Sequence, residues 1–524
     1  MVRASRSALL VSSMSLAACG AGDVNRAVTV VYASGADLQS INPLVTVHPL
    51  AKAVQKHVLF MTLAVYDSLL RPIPRLAESW EWNADRTMLT FTLRDDVFWH
   101  DGVRTTARDV LTTVRFARDP ATGYPRARDF DPVVSVNAPD SLRVEIRFSV
   151  TQPVFPDVLT DLAILPAHYV AEVAPSAMRR AAFNEEPVGN GPFRFVDHRP
   201  NQRWVFERNV SFPVDFAVPP IDRFVIVVVD EATTKLAALT TGELDFAGIS
   251  PGHAEFVRKN PRLRIVDFPI LFSYGVFWNL RRRPFDDHGV RRALTMAIDR
   301  RAIIDGYLYG FGTPATGPVA PSHPWYVDAP GPTFDPGEAR RLLDSLGWRV
   351  GENGVRAKGD TTLSFVLLTV GSGDLGLEQM LQEQMRSIGV TVTLRQLELS
   401  TFLATARGEA RDYDALLTGI SGDLSLGYVD ALFGGHEGPL AYAGYRNRAF
   451  DEAVARARTA ETETQVADAW ADAQRILAAD FPVAWVYHAR GVQGVTNRIT
   501  NTQPDLRGEL GNIHEWRFGS GGTH

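Results

Sequence analysis

The chain has 524 residues, of which 45% are apolar and 22% charged, and its formal net charge is −6. This is the composition of an ordinary globular protein of three or four domain-sized pieces, and it excludes a disordered chain, a collagen-like chain and a protein with many membrane spans. The small negative charge argues against nucleic acid as a partner. The single cysteine, Cys19, excludes an internal disulfide, a cysteine-ligated zinc site and an iron–sulfur cluster.

The N-terminal residues have the layout of an export signal. Arg3 and Arg6 precede a small-residue and apolar stretch at residues 8–18, which is too short to span a bilayer as a mature helix. The stretch ends in Leu16-Ala17-Ala18-Cys19, which resembles the bacterial lipoprotein signal, whose cysteine is lipidated. We therefore predict a signal peptide at residues 1–19 and a mature protein tethered by lipid outside the cytoplasmic membrane. A plain secretory signal with a chance cysteine and a cytosolic N-terminus are the alternatives.

Residue patterns in the first half of the chain predict β-strands. Apolar and polar side chains alternate at residues 89–93, which is typical of a strand with one buried face. The same pattern recurs at residues 142–148 after turn-forming residues at 137–140, so we predict a hairpin. Further strands are predicted at residues 28–33, 193–195, 204–207 and 224–229.

The second half changes to helices that alternate with strands. Asp335 followed by Pro336 predicts the capped start of a helix, and Gly347 predicts its end. Apolar stripes and one alternating stretch predict further elements at residues 377–388, 390–394 and 466–477. Together these patterns predict an α/β protein with a β-rich insert near residues 71–185.

No stretch of the sequence carries a recognisable catalytic or cofactor motif. A phosphate-binding loop, a nucleophile elbow and paired metal-ligand histidines are all missing from the sequence. The adjacent acids at 95–96 and 286–287 are more typical of a strand surface and a helix start than of paired catalytic carboxylates. We therefore predict that the chain is not an enzyme and has neither cofactor nor metal.

Several blocks of the sequence occur in the order of a known family signature. The most specific series starts with Leu76-Ala77-Glu78-Ser79-Trp80 and continues through His100-Asp101-Gly102. Further blocks lie at residues 93–97, 106–110, 187–193, 239–245, 279–300, 335–348 and 478–483. The series resembles that of family 5 extracellular solute-binding proteins, the dipeptide- and oligopeptide-binding components of ABC importers. Asn190 stands where the family has threonine in a Gly-Thr-Gly-Pro loop.

The resemblance implies a periplasmic-binding-protein type 2 fold, with two lobes joined by crossing strands plus an extra β-rich domain. It implies lobe one at residues 28–70, 186–268 and 485–524, the extra domain at 71–185, and lobe two at 269–484. Most of the signature is expected to be structural. Asp101, Asp109 and Asp299 are expected to cap elements and to hold hydrogen bonds within a lobe.

The resemblance also points to one ligand-binding carboxylate. In peptide-binding relatives an aspartate of the second lobe pairs with the α-ammonium of the peptide, and Asp423 occupies that position here. Ile420 replaces the tryptophan that precedes the aspartate in those relatives. A carboxylate facing an ammonium forms a charge-assisted hydrogen bond of fixed direction. The alternative is that Asp423 caps a helix.

Other candidate ligand contacts lie at the end of the first strand and at the two crossings between lobes. Aromatic side chains at the crossings could stack on peptide planes or sugar faces, although hinge-region core is an equally good interpretation. These candidates are Ser34, Gly35, Tyr274, Trp278, Asn279, Trp485 and Tyr487.

The predicted function is capture of a small solute, most simply a peptide, and its delivery to an ABC permease with its ATPase. We expect the protein to act as a monomer and to close around its ligand. An oligosaccharide or another solute on the same fold is one alternative. A sensor or chaperone-like lipoprotein without transport is the other.

Overall fold

A computed structural model describes residues 28–46, 48–213, 215–216, 220–371, 374–435 and 438–518. The predicted signal peptide and the predicted lipidation site, Cys19, lie outside these residues. None of the helices within these ranges combines the length and apolar character that crossing a bilayer requires.

The first part of the chain contains the first strand of the main sheet and a separate small antiparallel sheet. Its elements are β1 Thr29–Ser34, α1 Pro49–Val54, β2 Ala64–Tyr66, β3 Pro72–Pro74, β4 Ala77–Trp82, β5 Met88–Leu93, α2 Ala107–Arg118, β6 Val133–Asp140, β7 Arg143–Phe148, α3 Val158–Asp161 and α4 Ala167–Val170. Strands β4, β5, β7 and β6 pair in that order. Leu89, Phe91 and Leu93 are at most 1% exposed, as the alternating pattern predicts. We call this β-rich part, which lies within residues 71–185, the insert.

The predicted hairpin is confirmed by the antiparallel pairing of β6 with β7. Its turn was predicted at residues 137–140, and this detail is wrong. These residues belong to β6, and the chain reverses at Ser141 and Leu142. The pairing register shifts between Asn137 and Asp140, so a strand irregularity accommodates the turn-forming residues.

The next stretch completes most of lobe one. Its elements are β8 Phe193–Arg199, β9 Arg203–Arg208, β10 Arg223–Val228, α5 Ala232–Thr241, β11 Phe246–Gly248, α6 Ala254–Lys259 and the long strand β12 Leu263–Trp278. Strand β1 lies between β10 and β11 and runs parallel to both. A parallel strand flanked on both sides is expected to be buried, and Val30 and Tyr32 are at most 3% exposed.

The last stretch forms lobe two and returns to lobe one. Its elements are α7 His288–Met296, α8 Arg300–Gly306, β13 Gly312–Pro314, α9 Pro336–Ser345, β14 Arg349–Val350, β15 Arg356–Lys358, β16 Thr361–Thr362, β17 Ser364–Val370, α10 Gly376–Ser387, β18 Thr391–Leu397, α11 Leu399–Arg407, β19 Ala415–Ser421, α12 Gly427–Phe433, α13 Arg448–Thr459, α14 Glu463–Asp480, β20 Val483–Thr496, β21 Ile499–Thr500 and β22 Arg517–Phe518. The predicted helix start is confirmed, because the Asp335 carboxylate accepts a hydrogen bond from the Glu338 amide at 2.8 Å.

Strands β12 and β20 join the two lobes. Residues 263–269 of β12 pair with 490–496 of β20 on the lobe-one side, and 273–277 pair with 483–488 on the lobe-two side. The register is irregular between Pro269 and Ser273, where the strands pass from one lobe to the other. The predicted α/β class, with two lobes and a β-rich insert, is confirmed, whereas the exact domain boundaries stay a prediction.

Candidate functional site

A cavity of about 170 Å³ lies where four separate stretches of the chain meet. The α1 region (residues 49–70), the insert, the β12–β19 end of lobe two and the C-terminal segment all contribute to its lining. The lining residues are Lys56, His57, Val65, Tyr66, Leu70, Arg126, Asp157, Thr160, Asp161, Leu271, Gly422, Asp423, Leu424, Leu506 and Arg507.

Asp423 reaches the cavity from the end of β19. The chain leaves this strand at Ser421, and the Gly422 amide then donates to the Leu271 carbonyl of β12 at 2.7 Å. A side chain at Gly422 would come within 3.0 Å of the Tyr428 ring, so glycine allows this ring to pack against the backbone. The backbone immediately before Asp423 is thereby fixed against lobe two.

The Asp423 carboxylate has local hydrogen bonds but no counter-ion among the described residues. Its Oδ1 accepts from the amide and the hydroxyl of Ser425, at 2.9 and 2.7 Å. No lysine, arginine or histidine of the described ranges forms an ion pair with it. Helix α12 begins at Gly427 with Leu426 as its N-cap residue, so Asp423 does not cap that helix.

The opposite side of the cavity is built on a π-helical turn, Gln55–Leu59, that follows α1. The Phe60 amide donates to the Gln55 carbonyl at 3.0 Å, and this wider turn carries Lys56 and His57 into the lining. Such turns within α-helices often occur at functional sites.

The loop at residues 187–192, one of the signature blocks, packs directly on this turn. The Gly191 amide donates to the Leu59 carbonyl at 2.9 Å, and Asn190 Oδ1 accepts from the Met61 amide at 2.9 Å. A Cβ at Gly189 would lie 1.9 Å from the Leu59 carbonyl oxygen. Glycine is therefore required here for the close backbone approach that fixes the π-helical turn.

His57 is held neutral by its surroundings. Burial lowers its pKa well below the usual value, and the nearby cations Lys56, Arg75 and Arg507 lower it further. A hydrogen bond with the Arg507 backbone acts in the opposite direction but is outweighed. Its Nε2 atom is buried and has no hydrogen-bond partner among the described residues.

The insert contributes a partly buried ion cluster with Asp161 at its centre, whose side chain is 16% exposed. Lys52 and Lys56 contact this carboxylate at 3.1 and 3.2 Å, and Arg126 Nη1 contacts it at 3.2 Å. Burial alone would raise the pKa of Asp161, but these three cations hold it well below its usual value. The cluster joins the insert to the α1 region.

Arg126 also binds two further carboxylates of the insert. Its Nη2 lies 2.8 Å from Asp157 and 2.6 Å from Asp129. Burial raises the pKa of Asp129 in spite of Arg126, and the negative charge of Asp423 raises it further. Asp423 is therefore close enough to the insert for its charge to act on Asp129.

Of the eight ligand contacts predicted from sequence, Asp423 alone is among the described residues that line the cavity. Ser34 is 4% exposed and donates to the Ala36 carbonyl at 2.5 Å, which stabilises the turn after β1. Gly35 lies in that turn, where an added Cβ would come 3.2 Å from Lys235 Nζ. Asn279, 1% exposed, donates to the carbonyl oxygens of Arg411 and Tyr413.

The four predicted aromatic contacts belong to the core of lobe two. Tyr274 and Tyr487 stack with their ring centroids 5.3 Å apart. Trp278 stacks on Phe285 at 5.2 Å and is fully buried. Trp485 is 3% exposed and packs within the second apolar cluster of lobe two. Contact between any of these seven residues and a ligand stays a prediction.

The signature aspartates have the structural roles that were predicted for them. Asp109 forms the capping box of α2 by accepting from the Thr106 amide at 2.7 Å. Asp299 caps α8 by accepting from the Ala302 amide at 2.9 Å. Asp101 accepts from the Val103 amide and contacts His168.

Sequence reasoning missed the cavity residues of the α1 region, the insert and the C-terminal segment. One signal was available, because Lys52 and Lys56 are two of only five lysines among 54 basic residues and lie four residues apart. Arg126 and Arg507 carry no comparable signal in an arginine-rich chain. Within the described ranges, no three His, Asp or Glu side chains gather in a way that could hold a metal ion.

Comparison with known proteins identifies the family. The sequence profile described as bacterial extracellular solute-binding proteins, family 5, middle region, matches residues 71–434. The chain belongs to this family. Family 5 proteins are the extracytoplasmic substrate-binding components of ABC importers and are not enzymes. The predicted role as a binding component of an ABC importer and the prediction that the chain is not an enzyme are therefore confirmed for the family to which it belongs.

The similarity to individual family 5 proteins extends over nearly the whole chain. The oligopeptide-binding protein AppA of Bacillus subtilis (strain 168) is 24% identical over 88% of this chain and 86% of its own length. The structure of AppA in complex with a nonapeptide has a TM-score of 0.79 at 24% identity, over 94% of this chain and 99% of that one.

Two further relatives differ in the ligand that their names give. Di/tripeptide-binding protein 2 of Pseudomonas aeruginosa (strain UCBPP-PA14) is 28% identical over 81% of this chain and 83% of its own length. NikZ from Campylobacter jejuni, solved with Ni(L-His), has a TM-score of 0.80 at 22% identity, over 93% of this chain and 99% of that one. These structures share the two-lobed periplasmic-binding-protein type 2 fold with this family 5 protein.

Proposed function

We propose that this family 5 protein captures a small solute with a free amino group, most simply a peptide, in a cleft between its lobes. It then delivers the solute as a monomer to an ABC permease and its ATPase. The names of the sequence relatives, an oligopeptide-binding and a di/tripeptide-binding protein, support a peptide.

The observation that carries the proposal is the unpaired carboxylate of Asp423 in the cavity lining. A ligand ammonium that leaves water on closure needs a counter-ion, because an unpaired buried charge is very costly. Asp423 projects from lobe two toward residues of lobe one and the insert, so an ammonium bound to it would contact both sides. A neutral oligosaccharide is less well supported, because Tyr66 is the only aromatic residue other than His57 among the described lining residues.

Asp423→Asn tests this assignment, since it keeps the size of the side chain and removes its charge. Removing one partner of a buried ion pair costs about 3–5 kcal/mol, so the affinity for a dipeptide with a free amino group should fall roughly a hundredfold or more. N-acetylation of the dipeptide should cost a similar amount in the wild type and little more in the variant. Titration calorimetry on both proteins with both dipeptides measures these differences.

Asp412→Asn is the matched control, because Asp412 is 80% exposed and pairs with Arg282 at the surface. It should leave the affinity unchanged. If the acetylated dipeptide binds wild-type protein as tightly as the free dipeptide, Asp423 does not select an ammonium and the proposal is wrong.

The lipid anchor is a second part of the proposal and rests on the sequence ending in Cys19. In the bacterial host, Cys19→Ala should leave the fold intact and move the protein from the membrane fraction to the soluble extracytoplasmic fraction. Several acyl chains are needed for stable anchoring, so loss of the modified cysteine should release the protein fully. Persistence of the variant in washed membranes would contradict lipid anchoring at this residue.

A further inference from the structure

The three cations among the described lining residues are all engaged by carboxylates of the protein. Lys56 contacts Asp161 at 3.2 Å. Arg126 contacts Asp157 at 2.8 Å and Asp161 at 3.2 Å. Each of these two cations therefore already has a counter-ion within the insert.

Arg507, the third cation of the lining, is bound by a neighbour in the chain. Its Nη2 donates to Asp505 Oδ2 at 2.7 Å, and its Nε lies 2.9 Å from Oδ1 of the same carboxylate. This two-point contact is the geometry in which arginine and carboxylate bind most strongly.

The carboxylates of the lining are not balanced in the same way. Asp157 and Asp161 share the cations of the insert, whereas Asp423 has no ion-pair partner among the described residues. Among the described lining residues, the uncompensated charge is therefore a single negative one.

Two nearby groups could change this balance, and neither supplies a free cation to the lining. Burial and the neighbouring cations lower the pKa of His57 well below its usual value, which favours its uncharged form. Arg75 stacks on the rings of Phe212 and Phe216 and is not among the lining residues.

We propose that the cavity accepts an ammonium but offers no free counter-ion to a carboxylate, so its cargo is an amine whose carboxylate is absent, masked or held outside the cavity. This inference rests on the proposed function and names the class of ligand: peptides blocked at the C-terminus, and other primary amines. A carboxylate entering the cavity would have to compete with Asp157, Asp161 or Asp505 for a cation, or be buried unpaired at high cost.

Four forms of one dipeptide test the inference on the wild-type protein: alanylalanine with both ends free, its C-terminal amide, its N-acetyl form and its doubly blocked form. Calorimetry should give the amide an affinity equal to that of the free acid within about threefold, or higher. The acetylated forms should bind at least a hundredfold more weakly. A free acid that binds more than tenfold tighter than the amide would overturn the inference.

The outcomes separate this inference from the proposed function. If acetylation has no effect, or if none of the four forms binds at millimolar concentration, the proposed ammonium site fails and this inference fails with it. If acetylation weakens binding but amidation weakens it as much, the proposed function stands and this inference alone is wrong.

Asp505→Asn gives a positive test, because it releases the Arg507 guanidinium while keeping an amide of the same size. Binding of the free acid relative to the amide should then improve by about tenfold, the gain expected from one charge-assisted hydrogen bond. Asp412→Asn is the control and should leave the ratio unchanged.

Discussion

His488 shows how one buried side chain can make the stability of this protein depend on pH. It is 3% exposed, lies on β20, and its Nδ1 is 2.8 Å from the hydroxyl of Ser273 on β12. Burial lowers its pKa from 6.5 to about 4. The unfolded chain therefore binds a proton below pH 6.5 that the folded protein does not bind until about pH 4, so the free energy of unfolding decreases as the pH falls through this window.

We predict that the free energy of unfolding falls by about 2 kcal/mol between pH 8 and pH 5 because of His488 alone, since one pKa unit is worth about 1.4 kcal/mol. His488→Gln should remove this contribution, so the variant should lose less stability than the wild type over the same range. Urea denaturation at the two pH values measures the difference. An equal loss in both proteins would contradict the assignment.

Asp423 was singled out from sequence because its stretch resembles the one that carries the ligand-binding aspartate in peptide-binding relatives, and it lies in the cavity lining. The other cavity residues could not be found in this way, because their place depends on which distant stretches meet. The role of the aromatic candidates at the crossings could not be assigned from sequence, since an aromatic residue near a hinge has the same sequence pattern whether it faces the core or a ligand. Trp278 and Trp485, both at most 3% exposed, face the core.

At the scale of elements, the sequence predicted the features that depend on interactions within a few residues of the chain. The start of α9 was predicted because the Asp335 cap and Pro336 act within one turn. The turn of the β6–β7 hairpin was missed because pairing with β7 extends β6 through Asp140 in spite of its turn-forming residues. The π-helical turn Gln55–Leu59 has no sequence signature, because the contact with residues 189–191 holds it in shape.

Gly189→Ala tests the role of that contact. The added methyl would lie 1.9 Å from the Leu59 carbonyl oxygen, so the backbone must move. Overpacking of this kind costs about 1–3 kcal/mol of folding stability, and we expect ligand affinity to fall as well because Lys56 and His57 move with the turn. Thermal denaturation and calorimetry measure the two effects.

Gly248→Ala is the matched control, since a Cβ at this position meets no atom within 4 Å. Its stability should stay within about 0.5 kcal/mol of the wild type. If Gly189→Ala is as stable and binds as tightly as this control, the loop does not position the turn.

At the scale of the whole molecule, the two lobes are connected by β12 and β20, whose register is irregular between Pro269 and Ser273. A ligand shifts the balance between open and closed forms only by its difference in affinity for them. A ligand held by Asp423 on one side and by lobe one and the insert on the other binds the closed form better.

We therefore predict that solution scattering will give a smaller radius of gyration with a saturating, calorimetrically confirmed ligand than without it. The forward scattering should correspond to one chain in both states. Asp423→Asn at the same ligand concentration should keep the larger radius. An unchanged radius for the saturated wild type would contradict ligand-driven closure.

The return of the chain from lobe two to lobe one also determines the order in which the protein can fold. Gln493 and Glu509 hydrogen-bond the Tyr32 hydroxyl, and they follow Tyr32 in the chain by 461 and 477 residues. Strand β11 has β20 as a neighbour, and β20 begins at Val483. A nascent chain that ends before residue 483 therefore lacks the strand that completes lobe one.

Contacts between residues so far apart in the chain must wait for closure of a very long loop, which slows folding. Lobe one, although it contains the first strand, should thus be the last to gain its native stability.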